Sequence, residues 1–254
     1  ADQYGVPMVI AVNQLDHDKA NWDGVRNAIA EEFGKKAVIC QFPVNPGLGL
    51  EGFVDVITMK FYNKKNEELE IPAAYADEAE ELRAELMEKA AEGSDELMEK
   101  FFETMELSTD EIREGLRAGL VKGETIPVFC TAAKENVGVK RLMEFIVNVV
   151  PSPEGREEPT VDGGTIKCDP AGPVALFIFK TSVEQHLGEV SYFKVMSGTL
   201  NEGADLVNPQ TGNGERLSAI YAVAGAKKEK VSSIAAGDIG CVMKLKAGKT
   251  DVTL

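Results

Sequence analysis

The chain has 254 residues, 44% of them hydrophobic, enough to bury one large core or two ordinary ones, and two domains are expected. Its 27 Lys and Arg face 42 Asp and Glu, a formal charge of -15 that argues against broad adhesion to nucleic acid or anionic membranes but leaves room for a local site. No apolar stretch approaches the ~20 residues needed to span a bilayer. Nothing at the N-terminus looks like a secretory signal, and the four cysteines, Cys40, Cys130, Cys168 and Cys241, are scattered without a C-x-x-C pair. A soluble, cytoplasmic, reducing setting with buried structural thiols is the expectation.

The chain opens on Ala1, just ahead of a β-rich run from Val6 to Val12, which suggests a fragment or a processed product. That run is nearly all apolar, as expected of a strand buried on both faces of a parallel sheet. Trp22, Val25, Ile29 and Phe33 then recur at helical spacing and predict one face of a helix ending near Gly34. Two β-like runs follow, AVICQFPV and VDVITMKFY, divided by the Gly-rich NPGLGLEG; Pro43 marks the first as an edge or a terminus.

Between Glu67 and Glu114 acids far outnumber bases, either as solvated helix faces or as a docking surface for a basic partner. Leu97, Met98, Phe101, Phe102 and Met105 form a stripe expected in the core rather than around a cofactor. Ser108 and Glu111 make a capping-box pair that starts another helix. Ile126 to Thr131 predicts a second buried parallel strand. The next helix is expected to turn Val139, Leu142, Met143, Ile146 and Val150 inward and to stop at Pro151-Ser152-Pro153. Past a linker at 153–164 the pattern becomes short, regularly spaced β-rich runs, for which a small closed antiparallel barrel is the expected solution. The domains are thus 1–152, α/β with a helical and acidic insert at about 36–124, and 165–254, the barrel.

In open α/β sheets ligands sit at the carboxyl ends of strands, and Asn13 to Asp16 and Thr131 to Lys134 both lie just past such ends. An Asp carboxylate accepts two parallel hydrogen bonds from the N1-H and N2 amino edge of guanine, a donor pair that adenine lacks. A backbone N-H from the second loop meets guanine O6 if small residues let the main chain approach, and CTAAKEN supplies Ala132 and Ala133. Two readings are open on these residues alone: a guanine site, or two loop starts in an ordinary α/β domain.

YGVPMVIAVNQLDH resembles the guanine-specificity motif of the translational GTPases, and IPVFCTAAKENVGVKRLMEFIVNVVPSP resembles the second base loop and closing helix of the elongation factor G family. ELMEKFFE with LSTDEIREGLRAG resembles that family's helical insert, and ALFIFKTSVEQHLGEVSYFKVMSGTLNEGADLVN with AAGDIG resembles its β-barrel second domain. The likeness covers nearly the whole chain in the same order. It implies an incomplete P-loop GTPase-type parallel sheet followed by an antiparallel barrel, with GTP or GDP as ligand and ribosome-stimulated hydrolysis driving translocation. Carried over by motif, Asp16 holds the guanine edge, Asn13 ties the base loops together, the Ala133 N-H is aimed at the base oxygen, and Lys134 lies beside the ring. Gln14 stands where the family has Lys and Ala132 where it has Ser, so weaker guanine affinity is expected.

The phosphate-binding G-x-x-x-x-G-K-[ST] does not occur. AGKT at 247–250 has Met243 in place of the first Gly, and DQYG at 2–5 and DPAG at 169–172 match the metal-side motif in letters only. The resemblance puts the phosphate and magnesium elements upstream of Ala1, so this chain alone is expected not to hydrolyse GTP. Its sheet should also expose an unpaired edge prone to self-association. Ribosomal RNA and stalk proteins are the implied partners, the RNA contacts being local, through lysines such as Lys180, Lys194 or Lys227. A paralogue serving ribosome protection or recycling, or a non-enzymatic adaptor that has lost nucleotide binding, are the alternatives.

Overall fold

A computed structural model describes residues 3, 5–160, 163–186, 188–246 and 248–254. The motif matches at 2–5 and 247–250, and residues 161–162 of the linker, lie wholly or partly outside these. The chain divides into two compact units, Ala1–Pro151 and Ser152–Leu254.

In the first unit β1 (Ile10–Val12) leads through a loop into α1 (Trp22–Phe33). The Asn21 side chain accepts the Gly24 N-H at 3.0 Å to start α1, and Gly34 ends it at φ +56°; Trp22 and Ile29 are buried and Phe33 half-buried as their spacing predicts, whereas Val25, at the edge of that face, is exposed. β2 (Ala37–Ile39) and β3 (Gln41–Val44) form one extended segment that changes sheets at Cys40, whose N-H donates to Val128 O at 2.9 Å. β3 then pairs with β4 (Gly52–Asp55), followed by β5 (Lys60–Asn63) and β6 (Glu68–Leu69), in the antiparallel order β3-β4-β5-β6. Pro43 sits on the edge strand β3, where a missing N-H breaks no outer ladder bond. The run VDVITMKFY is not one strand. The Thr58 N-H bonds Asp55 Oδ1 at 2.9 Å and Met59 takes φ +53°, turning the run back on itself as the β4-β5 hairpin.

Three helices follow: α2 (Ala76–Ala91), α3 (Asp95–Thr104) and α4 (Thr109–Lys122). α2 and α4 cross so closely that a Cβ on Gly115 would stand 2.0 Å from Ala90 O. The capping box of α4 is complete, with Glu111 N-H on Ser108 Oγ at 3.3 Å and Ser108 N-H on the Glu111 carboxylate at 2.8 Å. The α3 stripe is only half core. Leu97 is buried and Met98 and Phe101 pack against the core, but Phe102 and Met105 are 73% and 63% exposed, because a short helix lying on one neighbour buries a single narrow face.

β7 (Ile126–Cys130) is buried along its whole length at the centre of a parallel sheet ordered β1-β7-β2. The stretch expected as insert from about 36 thus contributes β2 to this sheet before leaving it. β1 departs from the expectation of burial on both faces. It is three residues long with Ala11 exposed and Ile10 and Val12 half-buried, because it pairs on one side only. α5 (Val139–Asn148) also differs. Phe145 and, just past the helix, Val149 are buried, while Met143 and Ile146 face outward, because Phe145 packs on Phe129 with ring centroids 4.6 Å apart and so sets the helix's rotation.

The second unit is antiparallel throughout. β8 (Glu157–Pro159) pairs with β9 (Thr165–Lys167) across the stretch expected as linker. Next come β10 (Ala175–Glu184), β11 (Gly188–Ser197), β12 (Thr199–Asn201), β13 (Asp205–Val207) and β14 (Gly214–Arg216). β15 (Ile220–Ala224), β16 (Lys227–Val231), β17 (Ser233–Ala235), β18 (Ile239–Met243) and β19 (Val252–Thr253) complete the unit. The main sheet runs β16-β15-β18-β11-β10-β19, with β12-β17 and β13-β14 as separate ladders. Among the described residues these ladders form an open sheet with two ends rather than a closed hydrogen-bonded ring. At Gly198, φ +77°, the chain turns out of β11 and gives β12 a new partner. Leu176, Ile178, Phe193, Val195, Ile220 and Val242 are buried in its core.

Among the described residues no helix is long and apolar enough to cross a membrane. All four cysteines are buried and free, and burial pushes the Cys40, Cys130 and Cys241 thiols above their ordinary range, which makes them poor nucleophiles.

Candidate nucleotide-base site

Parallel pairing puts Val12 level with Cys130, so the chain leaves β1 and β7 side by side at the same end of the sheet. The two loops are stitched at once: Thr131 N-H donates to Val12 O at 2.8 Å, and Leu15 N-H to Thr131 O at 3.4 Å. Asn13 completes the seam. Its Oδ1 accepts the Thr131 hydroxyl at 3.1 Å and the Ala133 N-H at 3.0 Å. The two loops picked out by their residue types therefore do lie together, but the Ala133 N-H meets Asn13 in this structure.

Inside the first loop, Leu15 is buried and acts as the anchor, while its neighbours face outward. Gln14 is exposed and takes φ +63°, an uncommon conformation for a residue with a Cβ. Asp16 is half-buried and makes no hydrogen bond or ion pair among the described residues, which leaves its carboxylate available to a ligand's donor edge. The second loop is compact because Ala132 and Val137 exchange backbone bonds at 3.0 and 3.1 Å and Asn136 turns at φ +57°. Gly138, φ +77°, is required there, since a Cβ would come within 2.3 Å of Cys130 O. Ala132 is buried and Ala133 and Lys134 are exposed at the mouth.

A third loop stands at the same end, one whose residues read only as a Gly-rich divider. Gly47, φ +102°, donates its N-H to Leu15 O at 2.8 Å and so braces the base loop from behind β3. Its signal in the sequence is the Pro-Gly-x-Gly stretch, which marks backbone freedom but not what the loop touches.

The arrangement suits a planar heterocycle with paired donors. Among the described residues no group of His, Cys, Asp and Glu could hold a metal ion, so they include no such donor set for magnesium.

Residues 1–152 match the family described as Elongation factor Tu GTP binding domain, and residues 173–252 match Elongation factor G domain 2. A crystal structure of a protein from Thermus thermophilus superimposes with a TM-score of 0.83 at 23% identity, a level that speaks for the fold. The match covers 100% of this chain, which spans 36% of the length of that protein. With the larger part of its length inside the first match and most of the remainder inside the second, the chain belongs to the translational GTPase family, as a GTP-binding domain of the elongation factor Tu type followed by an elongation factor G second domain.

Proposed function

We propose that this chain is the base-recognition half of the GTP-binding domain, together with the second domain, of an elongation factor G-like GTPase that works in the cytoplasm and uses GTP to promote translocation on the ribosome. The observation that carries the reading is the seam at Asn13, which holds the Thr131 hydroxyl and the Ala133 N-H within 3.1 Å while Asp16 has no hydrogen-bond or ion-pair partner among the described residues. Guanine binds with its N1-H and N2 amino group on Asp16, its O6 on the Ala133 N-H, which it then shares with Asn13 Oδ1, and its ring flanked by Gln14 and Lys134; Ala132 keeps the second loop thin.

Calorimetry on the whole protein tests this. Asp16→Asn should weaken GDP binding by on the order of a hundredfold, because a buried donor pair then faces an amide that cannot accept twice. The same change should favour xanthine nucleotides, whose C2 carbonyl accepts from the new amide N-H. An unaltered preference for guanine would remove Asp16 from the site. Gln14→Lys should tighten GDP binding, since Lys brings a longer apolar stem over the ring.

We infer further that this chain alone does not hydrolyse GTP, because its sequence contains no G-x-x-x-x-G-K-[ST] loop to cradle the phosphates. Phosphate release above buffer from the purified chain would overturn this. Pairing of β1 edges between copies is the route by which the chain self-associates. A monomer at all concentrations in analytical ultracentrifugation would count against it.

A further inference from the structure

The base site leans on the antiparallel sheet of the first unit as well as on the parallel one. The first base loop takes the 2.8 Å hydrogen bond from Gly47 N-H to Leu15 O, and the second takes one from the Asn66 side chain, in the β5-β6 turn, to Asn136 O at 3.4 Å. A Cβ on Gly138, at the end of the second loop, would come 2.9 Å from the Phe53 ring on β4. Two turns of one sheet thus brace the two base loops from the side.

The brace at Leu15 matters most, because Leu15 carries Asp16. The Asp16 side chain has no hydrogen bond or ion pair among the described residues, so its direction is inherited from the backbone. Leu15 N-H reaches Thr131 O only at 3.4 Å, which makes the shorter bond from Gly47 the firmer hold on that backbone. Gly47 is buried at φ +102°, and its loop is kept in that shape by Asn45, itself at φ +52°. The Asn45 N-H donates to the Tyr75 hydroxyl oxygen at 3.2 Å, and that hydroxyl donates to Asn45 Oδ1 at 3.1 Å. Asn45 Nδ2 donates to Glu51 Oε1 at 2.6 Å across the loop. Tyr75 closes the turn Ala73–Tyr75 and immediately precedes α2, with its ring 6.3 Å from that of the buried Phe42 on β3. Sheet and helix together fix Tyr75, and Tyr75 fixes the loop.

We propose that Tyr75 and Asn45 are positioning residues for guanine recognition. They act through Gly47 and Leu15, aiming the Asp16 carboxylate so that both of its oxygens meet the N1-H and N2 amino edge at once. Two parallel hydrogen bonds demand an alignment that one does not. Loosening this chain of contacts therefore costs the reading of the amino group before it costs binding as a whole. The start of the acidic insert becomes part of the base site. The proposal rests on the reading of Asp16 as the residue that holds the guanine edge.

The experiment is calorimetry on the whole protein with GDP and with IDP, whose base lacks the 2-amino group but keeps N1-H and O6. Tyr75→Phe keeps the ring beside Phe42 and removes the hydroxyl. It should weaken GDP binding about fivefold, the contribution of one ordinary hydrogen bond, and IDP binding less than about twofold, so that the preference for GDP falls. Asn45→Gly, which accepts positive φ without strain, should do the same, and the two changes together should cost little more than either alone because they break one path. On an Asp16→Asn background Tyr75→Phe should leave the ratio of GDP to IDP affinity unmoved. Glu78→Gln breaks the 3.3 Å ion pair between Arg26 on α1 and α2 but none of the loop contacts, and should leave that ratio unchanged as well. Equal losses for GDP and IDP in Tyr75→Phe, or no loss of GDP binding, would overturn the proposal. A guanine preference indifferent to Asp16→Asn would remove the base site itself, whereas a preference lost in Asp16→Asn and kept in Tyr75→Phe would remove only the positioning role.

Discussion

The two units solve the problem of burying a sheet differently. The first covers a three-stranded parallel sheet and a four-stranded antiparallel one with helices that carry 17 of that unit's 29 Asp and Glu. The second has no helix among its described residues, and its strands fold over one another around Phe193 and its neighbours. In the first unit the candidate base site sits where loops leave parallel strands at one end. The second unit, whose charge is nearly balanced, is built of antiparallel strands throughout its described residues. Strand direction explains the contrast: parallel strands bring several loops to one edge, whereas hairpins scatter their turns over both ends.

The largest expected effect that tests this separation is Phe193→Ala, which should cost the second unit about 3–5 kcal/mol. Phe193 is fully buried in that unit's core. The chain's single Trp, Trp22, is buried in the first unit, so its fluorescence follows that unit while circular dichroism follows both. Under urea the Phe193→Ala transition should move in circular dichroism and not in Trp fluorescence. A shift of both together would mean that the units unfold as one.

Gly115→Ala should have the next largest effect, about 1–3 kcal/mol, from forcing apart the backbones of α2 and α4. The new methyl would lie 2.0 Å from Ala90 O, so the fluorescence transition should move this time. An unshifted midpoint would show that the insert unfolds independently of the sheet around Trp22.

The smallest effect is electrostatic. Hydrogen bonds from Lys100 and Ser108 hold the Glu111 carboxyl at a pKa of about 2, below the usual carboxylate range. A group depressed in the folded state stabilises above its unfolded value, about 4.3, and loses that contribution as pH falls through the folded value. Wild type should therefore exceed Glu111→Gln in stability above pH about 4.5, with the gap closing toward pH about 2. A gap constant with pH would assign the capping box no charge contribution.

Local chemistry was legible in the sequence wherever neighbours along the chain decide the outcome. The Ser108 and Glu111 box, the Trp22 and Ile29 face of α1, the apolar run of β7 and the edge position of Pro43 all stand as their residues suggest. What was misread turned on contacts from elsewhere. The rotation of α5 is set by Phe129, a residue of β7, so of the expected inward stripe Leu142 and Val150 pack against the core while Met143 and Ile146 turn outward. β1 looked fully buried because its residues are apolar, but only its position at the end of the strand order says which side is covered.

The candidate site divides along the same line. The residue types Asn13, Asp16, Thr131 and Ala133 and their places after two apolar runs are properties of the sequence, because hydrogen-bonding capacity and strand propensity belong to residues. That Asn13 joins the two loops and that Gly47 braces Leu15 were decided only by folding. The reason is geometric: each depends on groups distant in the chain brought within about 3 Å, or kept beyond it, and only the packed backbone sets such distances.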